Sequence, residues 1–446
     1  MRKVAALAVL GALVVPGGAL ANDYRDEGYR SRDIQNFRDS CPRFSRYATP
    51  QHQAAAIQEY LTHRPDQLQR QAQDPTHPAA SAGSVPTWDT GEISTWETYR
   101  ELRAAGLVEP VSFRARTGAV LRGHVWRPST EGVYPAISIT PGSVQATEAD
   151  YYWAGAAFSK AGYVVLTFDA QGQGQSGTFG NEDLGPAERP TTEGVPSQQD
   201  VNFLHATIDA IHFVTSTPTT PHPLAFAKDA ANGLDVVNPY WGQIDRLEDG
   251  FANLGLAGHS YGAQGVTFAQ DPARNTENRR HIRTIVAWDN LSASYTPTVP
   301  AMGQNGESFV QPSFNFSRPN PEAKKGAFNA WRSAGIDTMQ IAPLAATHME
   351  WGFHPPACGS NWGNAIATHY SMAWFDKYLK ADPTADERLL TKQYLTPNNP
   401  RCGNNANCYS IYYKSAYHFR DADGVLRACD DMAHIANQTP CPDTDV

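Results

Sequence analysis

The sequence predicts an α/β fold, a mostly parallel sheet with helices on both faces. Three observations carry that expectation. Short, almost wholly apolar segments recur, such as AISIT (136–140) and YVVLTF (163–168), as strands buried on both faces require. Stretches of helical periodicity alternate with them, the pattern that gives parallel strands joined by crossover helices. The chain has 446 residues, 41% hydrophobic and 18% charged, enough apolar material for a large core.

The elements follow in chain order. Arg2 and Lys3 precede an apolar run from Val4 to Val15, then Pro16-Gly17-Gly18 and Ala19-Leu20-Ala21. This is the layout of a secretory signal peptide over residues 1–21, cut after Ala21, so export is expected. The run is too short to span a membrane. Residues 22–110 form an N-terminal extension, with a helix at 51–73 (Ala54, Ile57 and Leu61 on one face) and a Pro-, Ala- and Ser-rich linker at 74–86. From Val111, VSFRARTGAVLRGHVWRP reads as two strands about a turn at Thr117-Gly118.

AISIT then precedes a helix near 150–161. YVVLTF precedes a helix with Val201, Leu204, Ile208 and Ile211 on one face. LGLAG (254–258) runs into Ser260 and a helix that ends by Pro272. TIVAW (284–288), VPAMG (299–303) and TMQIA (338–342) continue the strand series. YSMAWFDKYLK (370–380) closes it, with Phe375, Tyr378 and Leu379 at helical spacing. The alternating unit is therefore 111–380. Residues 381–446 hold four of the six cysteines and few apolar runs, and read as a stapled extension.

Net charge is −9, without a basic run, which argues against nucleic acid or an anionic membrane surface as partner. In an exported chain the even set Cys41, Cys358, Cys402, Cys408, Cys429 and Cys441 implies disulfides. Cys402 and Cys408 bracket a flexible loop; with that pair closed, Cys429–Cys441 and Cys41–Cys358 remain among the fifteen possible connectivities. Zinc is the rival reading, but no Cys-x-x-Cys or paired-histidine spacing supports it.

The chemistry centres on AGHSYGA (257–263). A buried strand enters, a sharp turn carries Ser260, and a helix leaves. Gly258 and Gly262 fit a turn too tight for side chains beside it. The helix start behind Ser260 offers unpaired N–H groups to a developing oxyanion, and the Tyr261 N–H is the nearest. The competing reading is a small residue packed in a turn.

GLAGHSYGA resembles the nucleophile elbow of the α/β-hydrolases. AISITPGSVQ and GYVVLTFDAQGQGQS resemble the strands around the oxyanion loop of that fold. IVAWDN, VPAMGQNGES and AATHMEW resemble later segments of its dienelactone hydrolase-like and bacterial cutinase or polyester hydrolase branch. The likeness runs over about residues 111–380, strongest at 134–177 and 254–290; neither extension has a counterpart. It implies an α/β-hydrolase fold, a second oxyanion donor at the Ser143 N–H, and a base beyond the last strand. Family members tend to have an aromatic residue where Ser143 stands. The base is then His348, with His354 in reserve; His369 reads as structural and His259 as packing. For the acid, Glu307 follows VPAMG, where the family commonly has aspartate, while Asp289 follows the preceding strand. Glu307 is favoured and Asp289 is the alternative.

A Ser–His–acid set with an oxyanion hole transfers an acyl group to water and requires neither metal nor organic cofactor. The expected activity is carboxylic-ester hydrolysis, on a small or polymeric ester. Trp288, and Tyr151 with Tyr152 and Trp153, would line an apolar substrate site, unless they are core residues. The rivals are a peptidase or amidase of the same fold and a secreted binding protein on a hydrolase scaffold.

Overall fold

A computed structural model describes residues 93–143, 147–177, 201–308, 319–352, 363–390, 409–410, 412–433 and 441. The signal segment, the 51–73 helix, the 74–86 linker, His354, Cys41, Cys358, Cys402 and Cys408 lie outside them.

Strands form where the apolar runs lie: β1 (Val108–Arg114), β2 (Val120–Trp126), β3 (Ala136–Thr140), β4 (Val164–Phe168), β5 (Leu254–His259), β6 (Ile282–Trp288), β7 (Ala301–Gln304), β8 (Thr338–Ile341), β9 (Ala416–Arg420) and β10 (Leu426–Cys429). They make one sheet in the order β1-β2-β4-β3-β5-β6-β7-β8-β9-β10. From β4 to β8 all neighbours are parallel. The hairpin β1–β2 at one edge and β9–β10 at the other pair antiparallel. The helices are α1 (Ile93–Ala104), α2 (Tyr152–Lys160), α3 (Val201–Val214), α4 (Tyr261–Ala269), α5 (Gly326–Ser333), α6 (Gly363–Lys380) and α7 (Ala385–Leu390). No helix among the described residues is long and apolar enough to cross a membrane.

Strand side chains alternate between faces, so both faces need cover. Ile137, Ile139, Val165, Val286 and Trp288 enter one core with α2 and α6, including Phe158, Tyr370 and Phe375. Ala136, Val164, Leu166, Ile285 and Ala287 enter the other with α3 and α4, including Phe213 and Val266. Phe375 and Leu379 of the closing helix are buried, matching the 370–380 pattern.

Three departures have physical causes. VPAMG becomes a strand only from Ala301, because Pro300 has no N–H to give a ladder; its carbonyl still accepts from Ile285 N–H at 3.0 Å. The helix α1 lies within the expected extension; its Tyr99 stacks on Tyr152 with centroids 4.6 Å apart, and Leu102 packs on the same core. Among residues 98–104 these two contacts make too short a stripe to read as a helix. The C-terminal segment also supplies β9 and β10, where AYHFR buries Ala416, Tyr417 and Phe419 but leaves Arg420 exposed. Cys429, on β10, is bonded to Cys441 with Cα atoms 5.5 Å apart.

Candidate active site

The parallel strands run in one direction, so their carboxyl ends gather the loops after β3, β5, β6, β7 and β8 along one edge. Ser260 follows β5 at φ 58°, ψ −118°, a left-handed conformation that a serine rarely adopts. The flanking glycines make it feasible. A Cβ on Gly258 would lie 2.2 Å from the Gly262 carbonyl oxygen, and one on Gly262 would lie 2.2 Å from that of Thr140. Either contact is far inside van der Waals distance, so the elbow requires glycine at both positions. Tyr261 opens α4, and its N–H has, by position, no carbonyl within the helix to meet. Its ring stacks on Phe203 at 5.3 Å.

His348 follows β8 in a short 3-10 turn, His348–Glu350, closed by a capping box of Thr347 and Glu350. The Met349 N–H donates to Thr347 Oγ1 at 3.2 Å, and the His348 N–H donates to the Ser308 carbonyl at 3.0 Å. With the backbone held, ring Nδ1 meets Oδ2 of Asp289. The other carboxylate oxygen, Oδ1, accepts the Gly306 N–H at 3.0 Å. Asp289 itself has φ 42° and its own N–H donates to the Gln304 carbonyl at 2.6 Å. Among the described non-glycine residues four have positive φ: Ser260, Asp289, Ala345 and Ala381. Two are members of this set and a third lies three residues before His348. Such backbone strain persists where surrounding structure enforces it, and it clusters at working sites.

A second chain of hydrogen bonds runs beneath. The Gly142 N–H donates to the Tyr151 hydroxyl at 2.9 Å. That hydroxyl lies 2.8 Å from His259 Nδ1, and His259 Nε2 lies 2.8 Å from the His348 carbonyl. A carbonyl can only accept, so in a neutral ring Nε2 carries the proton and Nδ1 takes the tyrosine hydrogen. Burial, then the nearby Asp150 carboxylate, raises the Tyr151 pKa well above the usual tyrosine range, outweighing the Gly142 N–H, so the hydroxyl remains a donor. Direction therefore runs consistently from the loop after β3 to the backbone of His348.

The structure brings together Ser260, Asp289 and His348 on one cavity of about 630 Å³. The carboxylate on the imidazole is that of Asp289, the alternative in the sequence reading, rather than the favoured Glu307. Glu307 is held by its backbone, whose N–H donates to the Ala346 carbonyl at 2.7 Å. Ser143 stands half-exposed after β3, next to Gly142, on which a Cβ would lie 3.2 Å from the Ser260 Cβ. Trp288 and Tyr151 do not line the cavity. Trp288 is fully buried with Nε1 donating to Ser371 Oγ at 3.0 Å, and Tyr151 lies parallel to it at 6.4 Å. Trp288 faces α6, whereas the Tyr151 hydroxyl is directed to Gly142 and His259 beneath the cavity. His369 donates Nε2–H to the Arg388 carbonyl at 2.8 Å, away from the site.

Sequence reasoning missed three features. The Thr347-x-x-Glu350 capping box was legible as a motif. The bonded role of His259 and the approach of Lys324 and Asn305 to the cavity had no local signal. Among the described residues no group of three or more His, Cys, Asp or Glu side chains is gathered as a metal site.

No protein-family model matches the chain. Over 84 residues it is 33% identical to "Thiohydrolase apmlB" of Arthrinium phaeospermum, a match covering 19% of this chain and 27% of that protein's length. This partial likeness and the mostly parallel α/β sheet are compatible with a hydrolase-like fold, and the relative's name points to hydrolase activity in general.

Proposed function

We propose that the protein is a serine hydrolase of α/β-hydrolase type that transfers an acyl group to water, acting on carboxylic esters. The observation that supports this most is the strained Ser260 sharing a cavity with a His348 whose Nδ1 meets Asp289. In this reading Nδ1–H donates to Asp289, leaving Nε2 free of its proton. Nε2 takes the Ser260 proton as Oγ attacks the acyl carbon, and the Tyr261 and Ser143 N–H groups receive the oxyanion. Collapse expels the alkoxide, which takes the proton from Nε2. Water then repeats the cycle on the acyl-enzyme, releasing the acid and restoring Ser260.

The partial likeness to a protein named thiohydrolase favours thioesters as a second substrate class, reached by the same steps with a thiolate leaving. Export, with residues 1–21 removed, belongs to the same proposal. The test is labelling by a fluorophosphonate together with turnover of 4-nitrophenyl esters and aminoacyl-nitroanilides. Labelling at Ser260, ester turnover, and loss of both in Ser260→Ala support the reading. Undiminished turnover in Ser260→Ala overturns it, and faster anilide than ester turnover makes it a peptidase.

A further inference from the structure

Resting on the serine-hydrolase reading, a second feature of the same cavity bears on what the substrate carries. One wall comes from the turn before α5 and its first residues: Ala323, Lys324, Gly326 and Ala327. The two adjacent lysines have opposite fates. Lys325 is 1% exposed, with its ammonium 3.0 Å from Glu322 and 2.5 Å from Asp430. Lys414 reaches the same two carboxylates, at 2.6 and 3.5 Å, and Arg332 adds a third cation to Asp430 at 3.2 Å. The acidic groups of that neighbourhood are thus already matched. Lys324, half-buried, meets no carboxylate among the described residues and lies 5.2 Å from the Tyr413 ring centroid. The carboxylate that lines the cavity, Asp289, is engaged by His348.

The start of α5 adds to this positive field. Its first turn has no acidic residue and its cap residue, Lys325, makes no side-chain bond to an N–H. The N–H groups of Gly326 and Ala327 have no intrahelical acceptor by position, and the space beside Gly326 is open. Asn305 lines the same cavity. The remaining lining is largely polar, including Gln264, Asn290, Ser292 and Ser308.

We infer that the substrate is an ester bearing an anionic group, a carboxylate in the simplest case, held by Lys324 and the opening turn of α5. The anion belongs either to the acyl portion or to the alcohol, and the test separates them. For the acyl arm, kcat/KM for mono-4-nitrophenyl glutarate is compared with 4-nitrophenyl pentanoate. For the alcohol arm, 4-carboxyphenyl butyrate is compared with phenyl butyrate. The wild type is expected to favour the anionic member of one pair by about fivefold, the upper end of what a half-exposed ion pair supplies. Lys324→Gln should bring that ratio to about one, and Lys324→Glu below one. Fluorophosphonate labelling of Ser260 is followed in parallel. Labelling with no preference for either anionic ester, or a preference that survives in Lys324→Glu, overturns the anion site alone. Absence of labelling at Ser260 overturns the hydrolase reading and this inference with it.

Discussion

The side chains of Asp289 and His348 meet across 59 residues of sequence. The contact is shaped from both ends. Asp289 leaves β6 in a left-handed conformation and is pinned by the Gly306 N–H. His348 is set by its capping box. A substitution that keeps the shape of Asp289 but removes its charge should therefore act on the imidazole alone. Asp289→Asn is expected to lower kcat on a soluble ester by about 10⁴-fold, the scale of a wrongly oriented histidine in serine hydrolases. Glu307→Gln should stay within several-fold of wild type. Steady-state turnover of both variants checks this, and an inactive Glu307→Gln beside an active Asp289→Asn would reverse the assignment.

The Gly142–Tyr151–His259–His348 chain gives a second expectation. Tyr151→Phe removes one oxygen and leaves the Gly142 N–H and His259 Nδ1 without that partner. Each unsatisfied buried group costs about 1–3 kcal/mol. Melting should shift downward. Because Gly142 precedes Ser143, the second oxyanion donor in the proposed mechanism, kcat should fall by about 10- to 100-fold while KM changes little. A Tyr151→Phe enzyme that loses thermal stability but keeps full kcat would show that the chain is only structural.

Burial lowers the His369 pKa to about 4, from an ordinary 6.5, and His212 and His281 are likewise lowered to about 4, chiefly by burial. Well above pH 6.5 these rings are neutral whether folded or unfolded. Between about 6.5 and 4 the unfolded chain takes up protons that the fold refuses, so stability drops as pH falls through that window. Melting temperature measured from pH 7 to pH 4 should decline, and His369→Gln, which retains a donor for the Arg388 carbonyl, should show a shallower decline.

The Cys429–Cys441 bridge closes a loop with a sequence separation of 12. Loop-closure entropy for such a span is worth about 3 kcal/mol. The double variant Cys429→Ser, Cys441→Ser should melt several degrees below wild type under non-reducing conditions. An unchanged melting temperature would mean that the extension is held by β9 and the ion pairs on Asp430 alone.

What was legible in the sequence followed from burial. Strands covered on both faces read as apolar runs, and AISIT and the run before Ser260 became β3 and β5. The elbow was legible because two glycines and a serine meet one steric demand. The partner of His348 was not, because Asp289 and Glu307 both follow strand ends and only the direction of the chain at φ 42° turns one of them inward. Trp288 and Tyr151 misled for a related reason: an aromatic near a loop at the strand ends reads the same whether it faces the cavity or the core. Lys324 was illegible because whether it meets a carboxylate among the described residues depends on where Glu322 and Asp430 are engaged.

The outer neighbour of β8 comes from far along the chain: Thr338 pairs with His418, with α6 intervening. Just beyond β8, the Ser410 N–H donates to the Ala342 carbonyl at 2.7 Å and the Ala342 N–H donates to Ser415 Oγ at 2.9 Å, gripping the base of the loop that carries His348. This arrangement imposes an order of assembly. While a ribosome is still making the segment before residue 410, β8 is an open edge able to recruit a strand from a sister chain, and the histidine loop has no clamp. Closing the edge and anchoring that loop both wait for residues 410–420, so a chain truncated before them presents an open strand edge beside an unclamped histidine loop.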